Sequence, residues 1–239
     1  MRVIGVIDLK AGRAVHARGG QRGAYEPVRS ALLPPDRVGD AVALAGAYRR
    51  QLGLEEIYVA DLDAIGGHEC STLLPAICGA GEVVMVDAGV ADEARALAVL
   101  ATAAARVVVG LETLPSFDVL ERLVAAIGAS RLVFSLDLRN GIPVTPITCR
   151  INGPIAVARR AAAAGMTAVL ALDLARVGQG SGPDVTLITA LRREFPGLEL
   201  LAGGGVRGAQ DLQLLADAGC DGALVGTALH RGVRLGVRF

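Results

Sequence analysis

Along the chain, short runs of Val, Ile and Leu alternate with longer stretches whose apolar residues recur every three or four positions. The short runs fall at 2–8, 55–61, 82–87, 106–110, 131–137, 167–173, 198–202 and 221–225. Most are apolar on both faces, the pattern of strands covered on both sides of a parallel sheet. Stretches of helical period lie between them, at 36–52, 69–79, 91–104, 115–127, 153–164, 184–194 and 208–218. Eight such βα units in 239 residues predict an α/β fold, a single (β/α)8 TIM barrel occupying 1–239 as one domain. The eighth helix is the exception. After Gly226-Thr227-Ala228-Leu229 only ten residues remain, so the last helix is expected to be short or missing. Its place is then either open or covered by a second subunit, which makes a homodimer one expectation.

The pattern also repeats. GLEEIYVADLDAIGG (53–67) aligns with GMTAVLALDLARVGQG (165–180), pairing Asp61 with Asp173. MVDAGV (85–90) aligns with LAGGGV (201–206), and VVVGLETL (107–114) with ALVGTAL (223–229) after one insertion. Asp8 in VIDLKAG and Asp137 in SLDLRNG close the first strand of each half. Two similar half-barrels are the economical explanation.

Composition narrows the function. Hydrophobic residues make up 52% of the chain and the formal net charge is zero, which predicts a large core and no nucleic-acid partner. No apolar run is long enough to cross a membrane, and nothing resembles a signal peptide, so a cytoplasmic location and no membrane partner are expected. Cys70, Cys78, Cys149 and Cys220 are scattered, and are expected to be reduced. Neither they nor His16, His68 and His230 have metal-ligand spacing, and no metal or cofactor is expected.

In such barrels reacting groups sit at the C-terminal ends of strands. Asp8 and Asp137 occupy those positions on the first and fifth strands, facing each other across the mouth. Two carboxylates on opposite sides of a small substrate suit acid/base work; capping their own loops is the structural alternative. Asp61 and Asp173 also end strands, and either support the site or orient loops. Gly203-Gly204-Gly205 and Gly226-Thr227 end the seventh and eighth strands, where backbone N–H groups can hold a phosphate. Gly204, Gly205, Gly226 and Thr227 are the candidate phosphate ligands, and a phosphorylated small molecule the expected partner. In the first half, Asp87-Ala88-Gly89 replaces the triple glycine and Gly110-Leu111-Glu112 replaces Gly-Thr, and the negative charge of Asp87 and Glu112 puts a second phosphate in doubt. The loop 16–35 carries Arg18, Arg22 and Arg29 beside Gly19-Gly20 and Tyr25, either a lid over an anionic substrate or a solvated loop. Lys10, the sole lysine, would lie on the same side of its strand as Asp8. It could act as a Schiff-base nucleophile, support Asp8 by charge, or contact a loop.

Taken in order, VIDLKAGRAVHARGG, YVADLDAI, FSLDLRNG, ALDLARVGQGSGPD, LAGGGVR and ALVGTALHRG resemble the histidine-biosynthesis barrels. That family comprises the ProFAR isomerases and the cyclase subunit of imidazole glycerol phosphate synthase. The resemblance implies an aldose–ketose (Amadori) isomerisation of a phosphorylated metabolite by Asp8 and Asp137, with phosphate on Gly204, Gly205, Gly226 and Thr227. His16 falls where the cyclase has its catalytic lysine, which argues against that activity. Leu172 replaces an isomerase threonine, Val177-Gly178 replace Asp-Gly, and the tryptophan that would stack on a ring system is absent. These departures keep two other readings open. One is a paralogue with another reaction on a singly phosphorylated carbonyl compound, in one-carbon cofactor (methanopterin or methanofuran) biosynthesis, where Lys10 would matter; Lys10, His16 and Asp173 are candidate supporting residues of the site in either case. The other is a barrel that binds a phosphometabolite without turnover.

Overall fold

A computed structural model describes residues 1–80, 83–146, 153–233 and 235. Eight parallel strands close into a barrel: β1 (Arg2–Lys10), β4 (Glu56–Asp61), β5 (Val83–Asp87), β6 (Arg106–Gly110), β7 (Leu132–Arg139), β9 (Ala168–Asp173), β10 (Glu199–Gly203) and β11 (Gly222–Val225). β11 returns to β1 in parallel register, Arg2 opposite Gly222 and Gly5 opposite Val225, which completes the (β/α)8 ring. Seven outer helices follow the expected periodicity: α1 (Ala41–Leu52), α3 (Leu74–Ala80), α4 (Glu93–Leu100), α5 (Phe117–Ile127), α6 (Pro154–Ala163), α7 (Val185–Glu194) and α8 (Ala209–Asp217). The eighth, α9 (Thr227–His230), is a single turn. Several helices begin one to five residues later than their apolar pattern, because the turn before them is set by a cap. Asp40 accepts from Ala43 N–H, Asp92 from Arg95 N–H and Asp184 from Leu187 N–H.

The apolar pattern did not reveal the small elements at the mouth. β1 turns back into β2 (Arg13–His16), which pairs with β3 (Glu26–Pro27), and β7 turns back into β8 (Ile142–Pro143). The two tight turns are counterparts: Ala11-Gly12 and Asn140-Gly141 all have positive φ. Asn-Gly at 140–141 is a strong signal for such a hairpin, while Ala11 adopts this conformation at some cost. One further helical turn, α2 (Leu62–Ile65), starts on Asp61.

Two cores result from strand alternation. The larger lies between strands and helices, built from residues such as Ile7, Leu44, Val59, Val109, Phe134 and Leu200. The smaller fills the barrel interior with Ile4, Tyr58, Met85, Val108, Val133, Leu170, Leu201 and Leu224. Below that plug, the interior is closed by ion pairs: Arg2 to Glu56 and Glu199, and Arg106 to Glu199. Above it, continuing the same alternation, point Asp8, Asp87 and Asp137. Ile4, Met85 and Val133 therefore establish the side of the sheet on which the chemistry lies. Cys70, Cys78 and Cys220 are free thiols; Cys149 lies outside the described residues. No helix among the described residues is long and apolar enough to cross a membrane.

Candidate active site

A cavity of about 220 Å³ opens at the C-terminal end of the barrel. Its wall is asymmetric. The third and fourth strands of the first half contribute Asp87 and Glu112, the second half contributes Gly180, Gly204, Gly205, Gly226 and Thr227, and Asp8 and Asp137 stand on the opening strand of each half. The candidate acid/base pair and the candidate phosphate ligands thus line one space.

Asp137 is the more enclosed of the two sequence-nominated aspartates, 2% exposed at the end of β7. Ser135 Oγ donates to its Oδ1 at 2.6 Å and Glu112 N–H to its Oδ2 at 3.1 Å. Burial, then the Asp87 charge, pushes its carboxyl up to about 8 against those hydrogen bonds. Asp8 receives no hydrogen bond from any described residue. Burial raises it to about 7, with the Arg22 charge acting in the opposite direction. Asp87 is likewise raised by burial to about 7, although Gly89 N–H and the Tyr58 hydroxyl both donate to it. Three carboxyl groups near neutrality around one cavity can hold or accept protons at the pH of a cell.

The glycine end is shaped by close backbone approach. Gly205 has φ +86°, and a methyl group there would stand 2.4 Å from the Gly182 carbonyl oxygen. Gly204 has φ +96°, and a methyl there would meet the Asp173 carbonyl at 2.8 Å. No other residue fits either position. Thr227 Oγ1 lies 3.0 Å from His16 Nε2, which places His16 beside the phosphate candidates. Burial, then the charges of Arg18 and Arg231, lowers the His16 imidazole's affinity for a proton. His230 packs against His16 with ring centroids 6.0 Å apart, and burial drives it down to about 4.

The loop after β2 crosses the mouth. Gly19 N–H donates to the Val177 carbonyl at 2.8 Å, and Arg139 Nη1 donates to the Gly19 carbonyl at 3.3 Å. At Gly178, φ +69°, a methyl group would stand 2.2 Å from the Ala17 carbonyl, so glycine lets the two loops touch. Of the loop's three arginines, read as either a lid or a solvated loop, Arg22 lines the cavity, where it pairs with Glu112, and Arg18 and Arg29 do not. Arg18 and Arg29, on either side of the 3-10 turn at Arg22–Ala24, are exposed. Lys10 is also outside the cavity lining; its ammonium donates to the Arg22 carbonyl at 2.5 Å and so supports the loop that carries Arg22. Engaged there, it is not placed as a nucleophile.

Asp173 is placed as a loop anchor. Its carboxylate accepts from the N–H groups of Asn140, Gly141 and Ala175 and pairs with Arg176, and it does not line the cavity. Asp61 likewise caps α2 and accepts from Ser71 N–H. Tyr58, Arg139 and His230 line the cavity without having been singled out as site residues from sequence. Tyr58 could have been found by its inward position two residues after Glu56 on β4. Arg139 and His230 depend on how loops fold back. Among the described residues, no three His, Cys, Asp or Glu are grouped to hold a metal ion.

The comparisons with known proteins agree with this architecture. The chain matches the family described as histidine biosynthesis protein over residues 2–234. It is 32% identical over 236 residues to a Deinococcus radiodurans protein, covering 97% of this chain and 94% of that one. It is 35% identical over 238 residues to one from Rubrobacter xylanophilus, covering 96% and 91%. Both are named as the isomerase of 1-(5-phosphoribosyl)-5-((5-phosphoribosylamino)methylideneamino)imidazole-4-carboxamide. An uncharacterized protein of Methanocaldococcus jannaschii is 27% identical over 234 residues, covering 98% and 95%. The chain belongs to the histidine-biosynthesis protein family of (β/α)8 barrels.

Proposed function

We propose that this protein is an acid/base aldose–ketose isomerase of a phosphorylated metabolite. One observation carries the reading: Asp8, Asp137 and the glycine cradle line a single cavity. Family membership supports it, since the named relatives are isomerases. Asp137, held at about 8, keeps its proton at neutral pH and is the general acid that protonates the departing ring oxygen. Asp8, at about 7 and beside Arg22, is ionised more readily and is the base that takes the proton from the neighbouring carbon. The bonds rearrange within one molecule, with no redox partner. Phosphate seats on the backbone of Gly204, Gly205 and Gly226 and on the Thr227 hydroxyl.

A second reading takes the same reaction class to a substrate with one phosphate. It is favoured by Asp87 and Glu112, which stand where the first half would need to seat another. The test is turnover by the purified enzyme of the relatives' substrate, alongside singly phosphorylated aminoaldoses, for wild type, Asp8→Asn and Asp137→Asn. Each substitution is expected to lower kcat by about 10²–10⁴-fold on whichever substrate turns over. Phosphate binding with no turnover of either class would leave a binding barrel and refute the isomerase reading.

A further inference from the structure

The two ends of the cavity differ in charge, and the difference is built from buried groups. Asp87 is 5% exposed, with its oxygens engaged by Gly89 N–H at 3.2 Å and the Tyr58 hydroxyl at 3.4 Å. A methyl group on Gly110 would stand 3.1 Å from Asp137 Oδ2 and 3.5 Å from Asp87 Oδ2. The two carboxylates therefore converge on one spot, and the missing side chain of Gly110 leaves it open. Glu112 borders the same space, and its partner is Arg22. Asp8 adds a fourth carboxylate that lines the cavity without a hydrogen-bond donor among the described residues. Of the other arginines on the cavity wall, Arg139 is turned to the Gly19 carbonyl and Arg207 is held by three contacts to Asp211. Arg231 belongs to the glycine end, next to His16. Among the described residues, the first-half end thus has more carboxyl groups than cations, whereas the second-half end offers backbone N–H groups and arginine.

We infer that Asp87 and Glu112 are specificity-determining residues, which select a substrate bearing a single phosphate and, at its far end, a protonated nitrogen in place of a second phosphate. The inference rests on the reading of the cavity as the site of a phosphorylated substrate. An amine or amidine can donate to Asp87 and to Glu112 together, and its positive charge favours their ionised forms, which would repel a phosphate at the same place. A neutral hydroxyl can accept or donate one hydrogen bond there without compensating charge, and should bind between the two.

The experiment measures affinity by calorimetry for three matched series: aminoalkyl phosphates, hydroxyalkyl phosphates and alkyl bisphosphates of butyl, pentyl and hexyl length. Inorganic phosphate is the reference. At the best length, the aminoalkyl phosphate is expected to bind at least about tenfold tighter than its hydroxyl counterpart, and the bisphosphate more weakly than either. In the double variant Asp87→Asn, Glu112→Gln that amine preference should shrink to about twofold, with binding of inorganic phosphate retained. The ranking on the unmutated enzyme stands as a test even if the variant fails to fold. Equal binding of amine and hydroxyl, or tightest binding of the bisphosphate, overturns the inference while leaving the phosphate cradle intact. Failure of inorganic phosphate and of every series to bind overturns the cradle as well, and so identifies the underlying reading as the one at fault.

Discussion

The two half-barrels perform the same structural tasks with different residues, and they diverge most sharply in charge at the cavity. In each half the first strand ends in a cavity aspartate, turns through a positive-φ hairpin and has that hairpin held by an acidic side chain. In the second half the anchor is Asp173, accepting from Asn140 and Gly141; in the first it is Asp63, accepting from Ala11 N–H at 2.6 Å. Asp61, the aligned counterpart of Asp173, caps a helix instead. The anchoring task has thus moved two residues along the chain without altering the hairpin. At the third and fourth strands of each half the outcome is different. The second half lines the cavity with Gly204, Gly205, Gly226 and Thr227, while the corresponding segments of the first half line it with Asp87 and Glu112. Scaffold symmetry tolerates such exchange, because a turn requires only some acceptor in reach, whereas a ligand pocket depends on the sign of its charge.

The sharpest way to break this comparison is to add one methyl group to each half. Gly205→Ala forces a contact with the Gly182 carbonyl in the cradle, and should weaken phosphate binding at least tenfold while costing about 1–3 kcal/mol of stability. Gly89→Ala meets the Ile65 Cα at 2.8 Å at φ +65°, and should cost a similar amount of stability by chemical denaturation. Its phosphate affinity should not change. Matching losses of affinity in both variants would mean that the halves share the binding task.

The carboxylate end should also be visible in the pH dependence of stability. Burial raises Asp8, Asp87 and Asp137 in the folded state to about 7, 7 and 8, well above the ordinary range of an aspartate. Between those limits the folded protein retains protons that the unfolded chain has lost, so stability is highest at the acidic side and falls as pH rises toward 8. A thermal scan series from pH 5 to pH 8.5 should show Tm decreasing, each kcal/mol being worth about 2–4 °C at this chain length. Asp87→Asn should flatten the curve, and a Tm that climbs through this window would contradict the burial of these groups.

The loop gives the smallest effects. Arg22→Ala should raise KM several-fold, because it leaves Glu112 without its partner. Arg18→Ala and Arg29→Ala, both outside the cavity, should leave kcat/KM within about twofold. Lys10→Met removes one contact to the Arg22 carbonyl, and should cost about 0.5–1.5 kcal/mol with turnover preserved. Complete loss of turnover in Lys10→Met, with the fold intact, would restore the covalent reading.

Much of the barrel could be read along the chain because its strands are covered on both faces, and continuous Val, Ile and Leu record that directly. The positions of Asp8 and Asp137 followed from the same source, since inward alternation carries from Ile4 and Val133 to the mouth. The glycine motifs were legible for a related reason: where backbone meets backbone, as at Gly205 and Gly182, only one residue type is tolerated. Loop side chains obeyed no such periodicity. Arg22, among the three loop arginines, turns inward to Glu112, a residue ninety positions away in sequence. Whether Asp173 worked in the cavity or under a hairpin depended on N–H groups more than thirty residues away in sequence. Local patterns thus specified the strands and their inward faces, where burial acts residue by residue. Which loop side chains complete the mouth, Arg22 with Glu112 and Arg139 with the Gly19 carbonyl, was decided by long-range contacts, because charge and hydrogen bonding act between segments that meet only after the barrel has closed.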